Sequence, residues 1–541
     1  MPSLPWHSYL RPHRVPEAPA VARFLMAALS GAILSRSYVG SFPSVYAWFC
    51  LALLLASILG ARARVAFFCG FLHGLIFVVT CVPWIADVLA VHGGMSLAAG
   101  WGVLLLIAVT WGASIGLFAW AVQRLSLRSY TLALIGAPFL WISTEVLRAY
   151  LPEISFPWGL LGYPPAENAA LLQLTTITGI YGLSFLAATF NALLLWCDCG
   201  PIERIKQRLV IFGVALLLLL AVMLIGPHFV PHADAHHLAR VVQPNFPENT
   251  QYVGDWYAEH KADLANLEDL SLRALPDGRP DLLIWPEAPA PFSFQDARFA
   301  PYISRLATEF DNPVIVGVIE WKPETQSVNG TARTILVPFN SAAMLNAFGQ
   351  RAFSYDKIHL VPFGEYEPFP FIHQVVTSVS EEVGGFHKGT TRGVGRFPNG
   401  DTFSTFICYE AIYPAEVRAF VDRGAELLIN ISNDGWFGTS QAAEQHLRMV
   451  RARAVENRRW IVRDTNSGIT AAVDPYGNVI RVMRRDTRDS ADLPYDFRTD
   501  RTLYTRFNDW FAWMCVAVSA ILVLLTFRKA NKTRSTGKSS A

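Results

Sequence analysis

Eight stretches of this 541-residue chain are apolar for long enough to be measured against a bilayer, and they limit the available folds before any other residue is considered. They lie near 21–36, 44–60, 65–90, 95–123, 130–147, 171–196, 209–230 and 508–527, with Gly and Ser interrupting the first three. A helix needs roughly 20 predominantly apolar residues to span hydrocarbon. The first run follows a Pro-rich, basic leader without an evident cleavage site, so it reads as a retained anchor.

The basic residues orient the runs. With Arg11, Arg14 and Arg23 in the cytoplasm, alternate loops carry Arg62 and Arg64, Arg124 and Arg128, then Arg204, Lys206 and Arg208. The tail adds Arg528, Lys529, Lys532, Arg534 and Lys538, whereas the opposite short loops hold little beyond Arg36 and Arg148. That asymmetry obeys the positive-inside bias and sends the segment between the seventh and eighth runs to the outer side. Net charge is only +2, with basic and acidic residues interspersed, which gives no electrostatic ground for nucleic-acid binding.

The expected organisation is therefore residues 1–231 as transmembrane helices 1–7, 232–505 as an outer catalytic domain, and 506–541 as helix 8 with a basic cytoplasmic tail. In the outer segment, β-like runs at 239–245, 281–287, 313–320, 334–340, 402–410 and 425–434 alternate with amphipathic helical stretches at 257–275 and 442–459. That alternation predicts an α/β domain, whose sites usually gather where strands end.

Three strand-like runs end near reactive groups: Glu287 after "LLIWP", Lys357 in "SYDKIHLVPFGEYEP", and Cys408 in "STFICYEAIYP". Taken singly, each has an ordinary structural reading as solvated carboxylate, surface charge or small apolar filler. Position alters the reading of the thiol. Of seven cysteines, Cys408 alone lies in the outer segment, so it has no disulfide partner there although the compartment favours one. An unpaired thiol in such a place is deeply buried or chemically required, and its chemistry needs a base or a positive charge nearby. His359 and His446 are the nearest imidazoles by sequence, and both read more simply as hydrogen-bonded or packing residues. No grouping suggests a metal site.

"WPEAPAP", "DKIHLVPFGEYEP" and "ICYEAIYP" resemble the Glu–Lys–Cys segments of the nitrilase superfamily; with eight spans, "SNDGWFG" and "RDTNSGIT", the resemblance narrows to bacterial apolipoprotein N-acyltransferases. It implies an αββα nitrilase-like domain on an eight-helix membrane bundle. It also implies acyl transfer from a phospholipid donor to the N-terminal amine of a diacylglyceryl apolipoprotein, without a cofactor, by a monomer in the bacterial inner membrane. The catalytic domain would be periplasmic and both termini cytoplasmic. Glu287 would be the general base, Cys408 the nucleophile that holds the acyl group as a thioester, and Lys357, with a backbone N–H beside the nucleophile, the oxyanion stabiliser. Glu365 would orient Lys357 or Glu287, and Tyr409 and Glu410 would shape the pocket. Trp158, Trp256, Trp436 and Phe437 are candidate substrate contacts, with the family's functional tryptophan matched by either Tyr252 or Trp256. Two other readings use the same residues differently: a membrane-anchored amidase, and a transporter or receptor with a degenerate enzyme domain.

Overall fold

The structure, a computed structural model, describes residues 18–39, 43–92, 95–151, 155–199, 204–247, 255–259, 261–276, 278–288, 292–328, 331–366 and 385–527, with backbone alone at 256, 259, 326–328 and 331. Among these residues, six helices are long and apolar enough to cross a membrane: Ala63–Cys81, Leu97–Ser126, Tyr130–Tyr150, Ile180–Asp198, Ile205–Leu224 and Trp510–Phe527. The other two runs fold differently. The first forms the 17-residue helix Ala20–Arg36, and the second is divided into Pro43–Tyr46 and Cys50–Ile58.

The sixth run shows how one residue breaks such a pattern. Its first part forms single turns, Ala169–Leu172 and Thr175–Thr178, and the long helix begins only after Gly179. Gly179 has φ +64°, and a Cβ there would lie 2.7 Å from the Tyr504 ring. Glycine alone tolerates both demands. Along Ile205–Leu224, Leu209, Val210, Leu217, Leu218 and Leu224 face outward, an arrangement stable only against lipid.

Among the described residues, two six-stranded sheets form the remaining domain. The first has the order β12-β1-β2-β3-β4-β5, with β1 at His237–Gln243, β2 at Leu282–Ile284, β3 at Val314–Val328, β4 at Thr331–Leu345, β5 at Arg351–Asp356 and β12 at Asp489–Tyr495. The second has the order β11-β10-β9-β8-β7-β6, with β6 at Gly395–Arg396, β7 at Thr402–Ile407, β8 at Leu427–Ser432, β9 at Ile461–Thr465, β10 at Ala471–Val473 and β11 at Val479–Val482. β1–β2–β3 and β7–β8–β9 are parallel, so their carboxyl ends gather at one edge of each sheet. Val241, Ile284, Ile315, Phe406, Ile429 and Val462 belong to the apolar cluster that joins the sheets. Helices Lys261–Leu272 and Phe299–Phe310 add a second core with Trp285 and Val316. This is the expected α/β sandwich.

The bundle and the sandwich are not separate bodies joined by a tether. Tyr409, Ile412, Tyr413, Met449 and Val455 belong to the same buried apolar cluster as the membrane helices. Polar contacts cross the same boundary: Trp158 Nε1 donates to Gln445 Oε1 at 2.6 Å, and Tyr413 Oη donates to Ser155 O at 2.9 Å. Inside the bundle, Glu145 accepts from Leu161 N at 2.7 Å and so anchors the loop that carries Trp158. Arg148, a potential i,i+3 partner of Glu145, sits with its guanidinium 4.1 Å above the Trp111 ring.

Candidate active site

Glu287 emerges three residues beyond β2, in a turn pressed against β3. A Cβ on Gly317 would lie 2.3 Å from Pro286 O and 2.8 Å from Glu287 Cα, so glycine permits this approach. Lys357 follows β5 directly and is 1% exposed. Its ammonium donates to Glu287 Oε1 and Glu365 Oε1, each at 2.9 Å. Asn340, on β4, donates the same amide nitrogen to Glu287 Oε1 at 2.8 Å and to Glu365 Oε1 at 2.7 Å. The remaining oxygens accept backbone amides: Asn433 N bonds Glu287 Oε2 at 2.9 Å, and Val361 N bonds Glu365 Oε2 at 2.7 Å. Glu365 therefore touches Lys357 directly and reaches Glu287 only through shared donors. Burial disfavours the lysine's charge, but the two carboxylates outweigh it and hold the Lys357 pKa well above the ordinary value.

Cys408 closes β7 and starts the 3-10 helix Cys408–Ile412. Its φ is +47°, rare for a side chain with a Cβ, and such a conformation costs about 1–3 kcal/mol. The sharp elbow turns the side chain away from the strand. All seven cysteines are free thiols. Burial raises the Cys408 pKa above its usual value, the Glu287 charge adds to the rise, and Lys357 opposes it. A thiol held in this way is protonated near neutral pH and requires a base when it attacks. Glu287 is the carboxylate whose charge it feels most, so the three groups named from sequence lie in one electrostatic unit.

Glu410 is fully buried and acts as a clamp. One oxygen accepts Ile407 N at 2.7 Å, and the other accepts Tyr355 Oη and Ile358 N at 2.7 Å and His359 N at 3.1 Å. It thus ties the thiol's elbow to the segment just after Lys357. His359 pairs with Glu416 at 3.1 Å and stacks on Tyr413, the ordinary reading of that residue. Tyr409 points to the bundle, where its ring stacks on Phe156 with centroids 6.3 Å apart.

An aromatic array continues from there. Phe156 stacks on Trp158 at 5.8 Å, Trp84 lies 5.0 Å from Trp158 and 5.1 Å from Phe437, and Trp436 meets His92 at 4.9 Å. Trp158, Trp436 and Phe437 are therefore gathered at the boundary between bundle and sandwich, with Trp158 only 1% exposed. Trp256 opens the short helix Trp256–Glu259, but its side chain, like the whole of Tyr252, is outside the described residues. Most of the apolar stretch after Glu365, residues 367–384, is also outside them.

Two comparisons bear on this arrangement. A family profile described as the apolipoprotein N-acyltransferase N-terminal domain matches residues 30–193, and one described as carbon-nitrogen hydrolase matches 238–492. An apolipoprotein N-acyltransferase of Geobacter metallireducens is 34% identical over 95% of this chain and 98% of its own length. The chain belongs to the apolipoprotein N-acyltransferase family. Other relatives of that name include one from Rhodopseudomonas palustris, 30% identical over 75% of this chain and 76% of its own. One from Chlorobaculum tepidum is 28% identical over 93% of this chain and 96% of its own. A nitrilase-like enzyme domain joined to apolar helices is thus the family's architecture, and the chain is a bacterial membrane acyltransferase by kinship.

Sequence reasoning missed Asn340 and read His446 as a packing residue, which its burial and its contacts with the Trp158 and Phe437 rings bear out. Asn340 ends an apolar run, "TILVPFN", as the recognised residues do, and that was its available signal. His446 lies in a regular helical pattern, yet its Nε2 is 3.0 Å from Cys408 O.

Proposed function

We propose that this N-acyltransferase family member moves an acyl chain from a membrane phospholipid to the α-amino group of a diacylglyceryl apolipoprotein through a Cys408 thioester. Cys408 Sγ attacks the donor's ester carbonyl while its proton passes to the Glu287 carboxylate. The carbonyl π pair becomes an oxyanion facing Lys357 and the Tyr409 backbone N–H. Collapse restores the carbonyl and breaks the ester C–O bond. The leaving lysophospholipid oxygen takes the proton from Glu287. The acceptor amine then attacks the thioester and gives a proton to Glu287; collapse forms the amide and breaks the C–S bond, and Glu287 returns the proton to Cys408 Sγ.

What carries this reading is the position of Tyr409, whose neighbour is the thiol and whose ring lies in the apolar core of the membrane bundle. Withdrawing a chain of about fourteen carbons into water would cost on the order of 10 kcal/mol, from about 0.8 kcal/mol per CH₂. A thiol reached from within the bilayer avoids that cost. The aromatic array at Trp84, Phe156, Trp158 and Phe437 is the apolar surface available to an acyl chain there. On this reading the helix Ala20–Arg36 and the apolar run near 44–60 count as the first two of eight crossings, and the positive-inside bias of the loops supports both termini in the cytoplasm with the catalytic domain at the periplasmic face of the inner membrane.

The test uses full-length protein with phospholipid labelled in its acyl chain. A hydroxylamine-labile adduct should form and be absent in Cys408→Ser. An amidase acting on soluble amides, or a transporter, would form no adduct, and that result would end the proposal.

A further inference from the structure

The acyl-transfer chemistry above leaves one group at the nucleophile unused. His446, in the helix Ala442–Asn457, is fully buried. Its Nε2 lies 3.0 Å from the carbonyl oxygen of Cys408, and its Nδ1 lies 3.2 Å from both Asp434 Oδ1 and an Arg463 guanidinium nitrogen. A backbone carbonyl can only accept, so Nε2 carries the hydrogen.

Arg463 holds the other side. It is fully buried on β9 and donates to Asp434 Oδ2 at 2.6 Å, to Ile469 O at 3.2 Å and to Asn430 Oδ1. Ser432 Oγ donates to Asp434 Oδ1 at 2.8 Å. Burial and then the Arg463 charge lower the His446 pKa, consistent with a neutral ring that donates from Nε2 and accepts at Nδ1 from Arg463. Although burial opposes the Asp434 charge, the Arg463 guanidinium holds that carboxyl well below the usual range. Every side of the imidazole is thereby determined.

The consequence runs through a single peptide plane. Cys408 C=O and Tyr409 N–H belong to the same trans peptide, so the two groups point in opposite directions. As a first-turn amide of the 3-10 helix Cys408–Ile412, Tyr409 N–H has no acceptor within its own helix. Fixing the carbonyl therefore aims the N–H. We infer that His446 is a positioning residue for oxyanion stabilisation: by gripping Cys408 O, it directs the Tyr409 amide to the oxygen of the tetrahedral intermediate. The same hydrogen bond polarises the peptide and strengthens the N–H as a donor. The inference rests on the thioester reading of Cys408.

Two substitutions separate this role from packing. In His446→Gln the amide nitrogen takes the place of Nε2 and can still reach Cys408 O. In His446→Asn the shorter side chain retains a polar group beside Asp434 and Arg463 and loses that reach. The full-length protein is assayed twice, by iodoacetamide alkylation of Cys408 read from its own peptide and by single-turnover acylation from labelled phospholipid. Alkylation has no oxyanion and should stay within about twofold of wild type in both variants, whereas acylation should fall roughly 10²-fold in His446→Asn and largely recover in His446→Gln.

Equal acylation in His446→Asn and wild type would overturn the inference. So would equal losses in Asn and Gln, or alkylation that accelerates as acylation falls, since a loosened elbow exposes the thiol. If His446→Asn does not fold, His446→Leu compared with His446→Gln serves the same purpose under the same criteria. Wild-type protein that never acylates would refute the thioester reading instead, which keeps the two failures distinct.

Discussion

Lys357→Met leaves two buried carboxylates sharing the Asn340 amide, and the cost can be bounded from the site itself. In the native site the ammonium lies 2.9 Å from one oxygen of each carboxylate, and Asn340 donates to the same two oxygens. Without the ammonium, folding can proceed once one carboxyl takes up a proton. An ordinary unfolded glutamate titrates near 4.3, and each pH unit above that costs about 1.4 kcal/mol, so protonation costs about 4 kcal/mol at pH 7. At pH 5 the cost is about 1 kcal/mol by the same rule.

The sign follows from proton uptake. The folded variant binds a proton that the unfolded chain lacks, so its stability falls as pH rises above 4.3. Wild-type Lys357, with its pKa raised by its partners, keeps its proton throughout this window and adds no slope. For a domain of this size, about 2–4 °C per kcal/mol converts the difference to a Tm loss on the order of 10 °C at pH 7 and about 3 °C at pH 5. Thermal unfolding of both proteins in one detergent at the two pH values is the assay. A loss that is equal at pH 5 and pH 7, or no loss at all, would refute the shared-proton argument.

Three further outcomes are expected. Gly317→Ala should displace the Glu287 turn, because the added Cβ meets Pro286 O at 2.3 Å; acylation should fall by at least about 10²-fold, as misplacement by 1 Å can cause, and an active variant would show that the turn yields freely. Glu410→Ala deprives Ile407, Ile358 and His359 of their amide acceptor, and at about 1–3 kcal/mol for each orphaned donor its Tm should drop by roughly 10–30 °C, with Glu410→Gln intermediate. Alkylation of Cys408 without substrate should keep accelerating from pH 6 to pH 10, because burial raises the thiol's pKa; a plateau below pH 8 would mean a preformed thiolate.

The parts of the fold that the sequence revealed share one property: burial imposed by a single apolar environment. β2, β7 and β8 are buried along their length; the runs for β7 and β8 were legible with nearly correct limits, whereas the run 281–287 took in the turn beyond β2 that carries Glu287. β3 and β4 were read as 313–320 and 334–340, yet their pairing continues to Val328↔Thr331. There the sequence, "WKPETQSV", is largely polar, and cross-strand hydrogen bonding rather than burial continues the ladder. β5 escaped notice for a related reason, since Arg351 and Ala352 are exposed at the sheet's edge. In the membrane portion, apolarity gave the runs but could not mark the break at Gly179, which depends on a contact with Tyr504 over 300 residues away.

The candidate site was legible where chemistry demands particular side chains. Glu287, Lys357 and Cys408 could be named because their three segments together resemble the Glu–Lys–Cys pattern and because Cys408 is the lone thiol of the outer segment. Asn340 and His446 could not, because what they do is set by neighbours that only the folded chain supplies. Asn340 faces two carboxylates from separate loops, and His446 meets a carbonyl from another element. Neither relationship has a periodicity.

The apolar cluster common to the helices and the sandwich also governs how this molecule can be taken apart. Cutting the chain to isolate residues 232–505 would bare Tyr409, Ile412, Tyr413, Met449 and Val455 to solvent, beside the thiol itself. Such a fragment would be sticky where it most needs order, so inhibitor screens and crystallisation should begin with the intact chain in a lipid-like medium.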